Sequence, residues 1–594
     1  MLVGFATAVT IFIIGISYSQ VVELFPSGGG GYVAASKLLS PFAGVVSGCA
    51  LLIDYVLTIA ISIASGADAL FSFLPAHWLA WKMSVVVVCV GVLTVLNLRG
   101  VKESVAPLVP FFLLFVLTHV FAIVYAFCLR GDQLGTLTHQ AVADVGQLRG
   151  QLGTAGLLLL LLHAYSMGAG TYTGLEAVSN ALPILREPKV QTARVTMRYM
   201  MISLAFMALG LLTAYFLCGV TPAPGKTLNA VLIERLTATW ASIPARAFIF
   251  VTLFTEAAIL FIAAQTGFLG GPRVLANMAL DRWVPSLFAT LSDHLVTRNG
   301  VLLMSSAALA VLWFTGGNVR VLVVLYSINV FITFALSQLG MLRHWWQQRR
   351  QNPVWRRKLA MSAIGLLVTV FILITVTVTK FHEGGGITLT VTGVLIGIAY
   401  LIRGYYRATY RHLARLDDLV DVANATLATA PAASFAPAVC DPKIKTAVLL
   451  VNGFNGLGLH TLFAILHLFG PTFRNFIFVQ VGIIDVGNFK GTQEVEWLQG
   501  SVSDDLERYV RYARSQGLCS ESVGAVSQDV AAEIETLAPQ IVRRFPNAVF
   551  FGGQLVFPEE NLFARWFYNF IIFSIQRRLH LLGIPFIVLP IRIK

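Results

Sequence analysis

Three carboxylates lie inside runs of otherwise apolar residues: Asp54 in "CALLIDYVLTIAISIASGADAL", Glu176 in "HAYSMGAGTYTGLEAVSNALP" and Glu256 in "TLFTEAAILFIAAQTGF". An ionised carboxylate in hydrocarbon is costly, so each is a candidate for binding a cation or exchanging a proton. Asp54, Thr58 and Ser62 follow at i, i+4 and i+8, which on a helix stacks a carboxylate and two hydroxyls on one face, a ladder of oxygen ligands. The hydroxyls alone also fit a helix contact in which Ser and Thr bond back to the preceding turn. Asp68 falls nearer the end of the same run, where solvation is easier.

The Glu176 stretch carries Gly168, Gly170 and Gly174 together with Ser166, Thr171 and Thr173. Glycine weakens a helix by up to about 1 kcal/mol relative to alanine, and the hydroxyls compete for backbone partners. An interrupted helix is the expectation, and broken backbone at membrane depth is tolerated where protein or a cavity satisfies it. Thr173 and Glu176 then share a face on the resumed half-helix. The other reading of the glycines is as notches for close packing. Glu256 could relay a proton or serve a structural pair. Tyr326, in "VLVVLYSINVFITFALSQ", could lend its hydroxyl to a cavity or simply find an interior partner.

These residues need elements that cross a bilayer. The chain has 594 residues, 57% hydrophobic and 12% charged, with a mean hydropathy of +0.76, far from the mix of a soluble domain. At about 20 apolar residues per crossing, spans are expected near 2–24, 42–65, 83–98, 105–128, 154–183, 198–219, 245–268, 300–316, 321–342, 359–379 and 386–403, eleven in all. Lys and Arg concentrate in alternate loops, including "RHWWQQRRQNPVWRRK" and "RGYYRATYRHLAR", and so put those loops in the cytoplasm. The net charge of +13 is read this way and not as nucleic-acid binding. With an odd count, Met1 falls outside, which is best explained if one upstream helix precedes this sequence. Neither a disulfide framework nor a transition-metal site is expected from six cysteines without CxxC spacing. "FPSGGGGYVAASK" lacks the Lys-Ser/Thr of a phosphate loop.

The tail differs in kind. Residues 1–404 read as the membrane domain, 405–445 as a basic segment and linker, and 446–594 as an α/β domain, cytoplasmic by the loop charges. Expected strands are "TAVLLV", "NFIFVQVGII", "NAVFFG" and "IPFIVLPI". Expected helices cover 503–517, 527–545 and 560–583, which is the alternation of a three-layer, mostly parallel sheet domain. Gly453, Gly456 and Gly458 lie at a strand-to-helix turn without the dinucleotide fingerprint. A regulatory nucleotide there is an open expectation. No nucleophile elbow or paired catalytic carboxylates point to an enzyme.

"SYSQVVELFPSGGGGYVAASK", "LLIDYVLTIAISIASGADAL", "LNLRGVKES", "TGLEAVSNALP", "AQTGFLGGPRVLANMALDRWVP" and "ALSQLGM" resemble the amino acid-polyamine-organocation superfamily and, within it, the KimA-type branch of potassium/proton symporters. The resemblance implies an all-α, inverted-repeat polytopic fold whose first family helix is missing here. It also implies a universal-stress-protein-like cytoplasmic domain, a homodimer and a multi-pass place in the plasma membrane. It puts the transported ion on Asp54, Thr58, Ser62, Thr173, Glu176 and Tyr326. Asn329 and Glu256 stand where the potassium importers have small or hydroxyl residues. The leading expectation is alternating-access uptake of potassium coupled to protons, with no bound cofactor. The alternative is a proton-coupled permease for a small amino acid on the same scaffold, and a further alternative is a non-transporting membrane anchor for the α/β domain.

Overall fold

The structure, a computed structural model, describes residues 2–26, 28, 30–100, 109–172, 174–180, 182, 185–291, 297–429, 440–484, 492–556 and 571–592. Thr173 and residues 560–570 of the helix expected over 560–583 therefore lie outside the described residues. Two units emerge: residues 1–278 with 296–399, and residues 279–295 with 400–594.

The first unit is helical. Its helices are α1 (Leu2–Leu24), α2 (Gly30–Leu38), α3 (Pro41–Phe71), α4 (Lys82–Leu98), α5 (Val109–Arg130), α6 (Leu134–Met167), α7 (Leu175–Asn180), α8 (Lys189–Leu217), α9 (Leu228–Leu236), α10 (Ser242–Leu280), α11 (Arg298–Thr315), α12 (Val319–Gln347), α13 (Trp355–Lys380) and the start of α14 (Gly386–Leu416). Among the described residues nine stretches are long and apolar enough to cross a membrane. Two of them, 109–180 and 355–429, each join several helices, which is why the count falls below the expected eleven. Ser40 caps α3, its hydroxyl accepting the Ala43 N–H at 3.1 Å, with Pro41 at the first turn. The α3 helix is the central element: Leu51, Ile59 and Ile63 are wholly buried, and it packs against α2 and α12, which in turn packs on α13. Outer positions of α4, α5 and α13 leave Val88, Leu117 and Leu367 exposed, as a lipid-facing surface requires.

The second unit contains α15 (Asp418–Thr429) and a five-stranded sheet: β1 (Thr446–Leu450), β2 (Asn475–Ile483), β3 (Cys519–Ser527), β4 (Ala548–Val556) and β5 (Phe586–Arg592). The strand order is β3-β2-β1-β4-β5 with every pair parallel. Helices α16 (Gly456–Phe469) and α17 (Thr492–Ser515) cover one face, while α18 (Val530–Arg544) and α19 (Ile571–Leu581) cover the other. Two expectations are corrected here. Residues 418–429 form a helix where a linker was expected, because Ala423, Leu419 and Val420 find an apolar seat on α16 and α17. Cys440 and Cys519 form a disulfide, although their spacing of 79 residues gives no local sign of it. Asn475 of β2 is the register partner of both Thr446 and Cys519, so the starts of β1 and β3 flank the start of β2, and the disulfide from Cys440 ahead of β1 reaches across it.

The glycines after β1 serve packing. The Gly453 φ of 80° makes the turn, Gly458 lies directly under the Tyr509 hydroxyl, and the Gly456 N–H donates to Asp417 Oδ1 at 3.1 Å. That aspartate holds an amide of the α16 N-terminus, the kind of group an anion would otherwise engage. Burial pushes the Tyr509 phenol above its ordinary range, so it stays protonated and donates to the Gly453 carbonyl at 3.1 Å.

Candidate functional site

The hydrophobic pattern makes 154–167 the end of α6, and the chain cannot continue it: α6 stops at Met167, Gly168–Tyr172 tighten into a 3-10 turn, and Gly174 at φ 90° reverses the backbone before α7 resumes at Leu175. A residue with a side chain rarely adopts that last conformation. The break delivers Glu176 to the first turn of a buried half-helix, where its carboxylate is 4% exposed.

Across from it α3 places Asp54, also 4% exposed, close enough that the two carboxylates feel each other's charge. The Asp54 Oδ1 and Glu176 Oε1 atoms are buried without a hydrogen-bond partner. Hydroxyls surround the pair. Tyr18 of α1, wholly buried, donates toward Glu176 Oε2 at 3.5 Å and also lies 3.4 Å from Ser337 Oγ of α12. Tyr326 of α12 bonds the Asp54 side chain and takes the Thr58 hydroxyl at 3.4 Å. Among the described residues no Lys, Arg or His forms an ion pair with either carboxylate. Among the described residues, the two buried acids lie with hydroxyl oxygens and pair with no side-chain cation, so their charge has to be balanced by protons or by a bound cation.

Asp54, Thr58, Glu176 and Tyr326, chosen from the sequence, thus come together. Ser62 is buried two turns along α3 from Asp54, and no hydrogen bond among the described residues joins it to the carboxylates. Glu256 does not join them: α10 places it against His119 of α5 and Asn229 of α9.

Sequence reasoning missed several members. Tyr18 and Ser337 stood inside quoted motifs, and a polar residue in an apolar span was the signal available for both. Asn180, at the end of α7, bonds the Tyr55 hydroxyl through its amide and accepts Arg273 at its carbonyl, 3.2 Å away. Lys380 is the largest omission. It is wholly buried at the end of α13, and its ammonium donates to the Ser166 carbonyl at 3.1 Å and to Ser327 Oγ at 3.3 Å. A cation at the C-terminal end of α6 satisfies a carbonyl released by the break and opposes the negative end of the helix dipole. Near the basic-loop end, Glu23 of α1 pairs with Arg194 of α8 at 2.6 Å and with Lys358 of α13 at 2.9 Å, tying three helices together.

Residues 1–404 match the amino acid permease family. Over 422 residues, 70% of its length, the chain is 31% identical to the potassium transporter KimA of Bacillus subtilis (strain 168), and it spans 66% of that protein.

Proposed function

Because this chain belongs to the amino acid permease family, we propose that it is a secondary carrier that takes up potassium together with protons by alternating access. The observation that carries this reading is the pair of buried carboxylates, Asp54 and Glu176, which share a hydroxyl-lined centre and form no ion pair among the described residues. A dehydrated monovalent cation needs several oxygens at once, and the Thr58, Tyr18 and Tyr326 hydroxyls with one carboxylate are of that kind. The second carboxylate would then carry the proton, so that loading and release exchange one charge for another. The broken α6–α7 element supports a hinge at the centre, and the Glu23 pairs support a latch that opens and closes on one side. The similarity to a potassium transporter points the same way. The basic loops support a plasma-membrane carrier with its α/β domain in the cytoplasm.

An amino acid presents a carboxylate of its own, which Glu176 would oppose unless it were protonated or set against the substrate's amine. The deciding experiment measures labelled rubidium and labelled amino acids in cells without their own potassium importers, under an imposed inward proton gradient. Saturable rubidium uptake, lost in Asp54→Asn and in Glu176→Gln, is expected. Rubidium uptake untouched by both substitutions, or amino acid uptake in its place, overturns the assignment.

A further inference from the structure

Glu256 is the buried acid that the cation centre leaves out, and its surroundings are of a different kind. One oxygen accepts the Asn229 amide at 2.9 Å, and Asn229 in turn bonds the Tyr215 hydroxyl of α8. The other oxygen, Oε2, has no hydrogen-bond partner and lies 3.9 Å from Nε2 of His119, which is also buried and also without a hydrogen-bond partner. One turn before Glu256 on the same face of α10, the buried Thr252 hydroxyl is unpartnered too.

The chemistry follows from the imidazole's other nitrogen. His119 Nδ1 lies 2.9 Å from the Phe115 carbonyl, which can only accept, so in the neutral ring the proton sits on Nδ1. Nε2 then offers a lone pair to a carboxylate oxygen. Two acceptors face each other, and one proton between them converts a repulsive contact into a hydrogen-bonded or ionic one. We infer that His119 and Glu256 form a one-proton binding site, separate from the Asp54–Glu176 centre, whose loading draws α5 and α10 together. At 3.9 Å the unloaded pair is about 1 Å too far apart for a hydrogen bond, a gap that closes as the two helices approach.

Charges on the neighbouring elements do not substitute for that proton. Arg235 of α9 is occupied by the Cys218 and Gly219 carbonyls, and Glu234 by Lys226. Asp68 of α3 is paired with Lys82. Tyr215 of α8 faces the pair through Asn229. Arg130 of α5 and Arg246 of α10 lie eleven and ten positions along their helices from His119 and Glu256, roughly 15 Å by helical rise. The Glu256 side chain keeps 12% of its surface, and the Asn229–Tyr215 bonds run from it toward the end of α8, so a proton from solvent has a polar route inward.

The test uses the purified full-length protein and no transported substrate, so its outcome is independent of the cation assignment. Infrared difference spectra between acid and alkaline pH report protonated carboxyl groups. A carboxyl band should disappear in Glu256→Gln and persist in Asp54→Asn and Glu176→Gln, and its titration midpoint should move by a unit or more (about tenfold in proton affinity per unit) in His119→Gln. A conservative Glu256→Asp, should the Gln variant not fold, is expected to keep the band at a shifted midpoint. A band unaffected by Glu256 substitution, or a midpoint that ignores His119, overturns the proposal.

Discussion

The membrane unit holds two buried acidic centres that teach different lessons. At the first, two carboxylates from α3 and α7 confront each other among hydroxyls, with no basic side chain among the described residues paired to either. At the second, one carboxylate from α10 faces one imidazole. A site with an excess of acids and hydroxyl ligands suits a metal cation that carries its own charge, whereas a matched acid and base suit a single proton. The broken helix reinforces the difference: the first centre lies at the break between α6 and α7, while α5 and α10 pass the second unbroken.

Substitutions can break or sharpen this comparison. The largest effect is expected from Asp54→Asn or Glu176→Gln. Either change removes a full negative charge that would face the buried cation, an attraction of about 4 kcal/mol at ~4 Å in an effective dielectric of ~20, so rubidium uptake per molecule should fall by about 10²-fold or more. Next comes Lys380→Met, which leaves the Ser166 carbonyl without its charged donor; hydrogen bonds of charged groups are worth about 1.5–3 kcal/mol. A drop of about tenfold or more in maximal uptake, with partial rescue by Lys380→Arg, would identify the lysine as a positioning residue for the break. Glu256→Gln should instead move the pH dependence of uptake by about one unit, equivalent to about 1.4 kcal/mol, and change the rubidium affinity far less than Asp54→Asn does. If both substitutions change affinity alike, the two centres are one. The smallest effect is expected from Tyr18→Phe, which removes a hydroxyl between Glu176 and Ser337 at about 1 kcal/mol, a roughly fivefold loss of rubidium affinity.

Much of the fold was legible because its signals are local. The expected apolar segments coincide with helices, since about 20 apolar residues can satisfy their backbone in lipid only as a helix. Four of the five strands were found as short apolar runs, but β3, "CSESVGAVS", was not. It is an edge strand whose polar residues are tolerated on its open side. The helix at 418–429 was read as a linker because its Ala and Asp content hides an apolar stripe that matters only against α16 and α17. In the site, Asp54, Thr58, Glu176 and Tyr326 stood out by the cost of polarity in an apolar segment. Lys380 did not, because a lysine at the end of a span is ordinarily one that snorkels to water.

By itself the sequence determined where the chain becomes helical, where α6 must break and which residues are too polar for their surroundings, because each depends on a residue and its near neighbours along the chain. Only the tertiary structure decided which of those residues meet. It brought Tyr18 to Glu176 across 158 positions, set Glu256 against His119 instead of the other acids, and joined Cys440 to Cys519. Such partnerships depend on helix register and strand order, which emerge when the whole core packs and which no stretch of sequence contains.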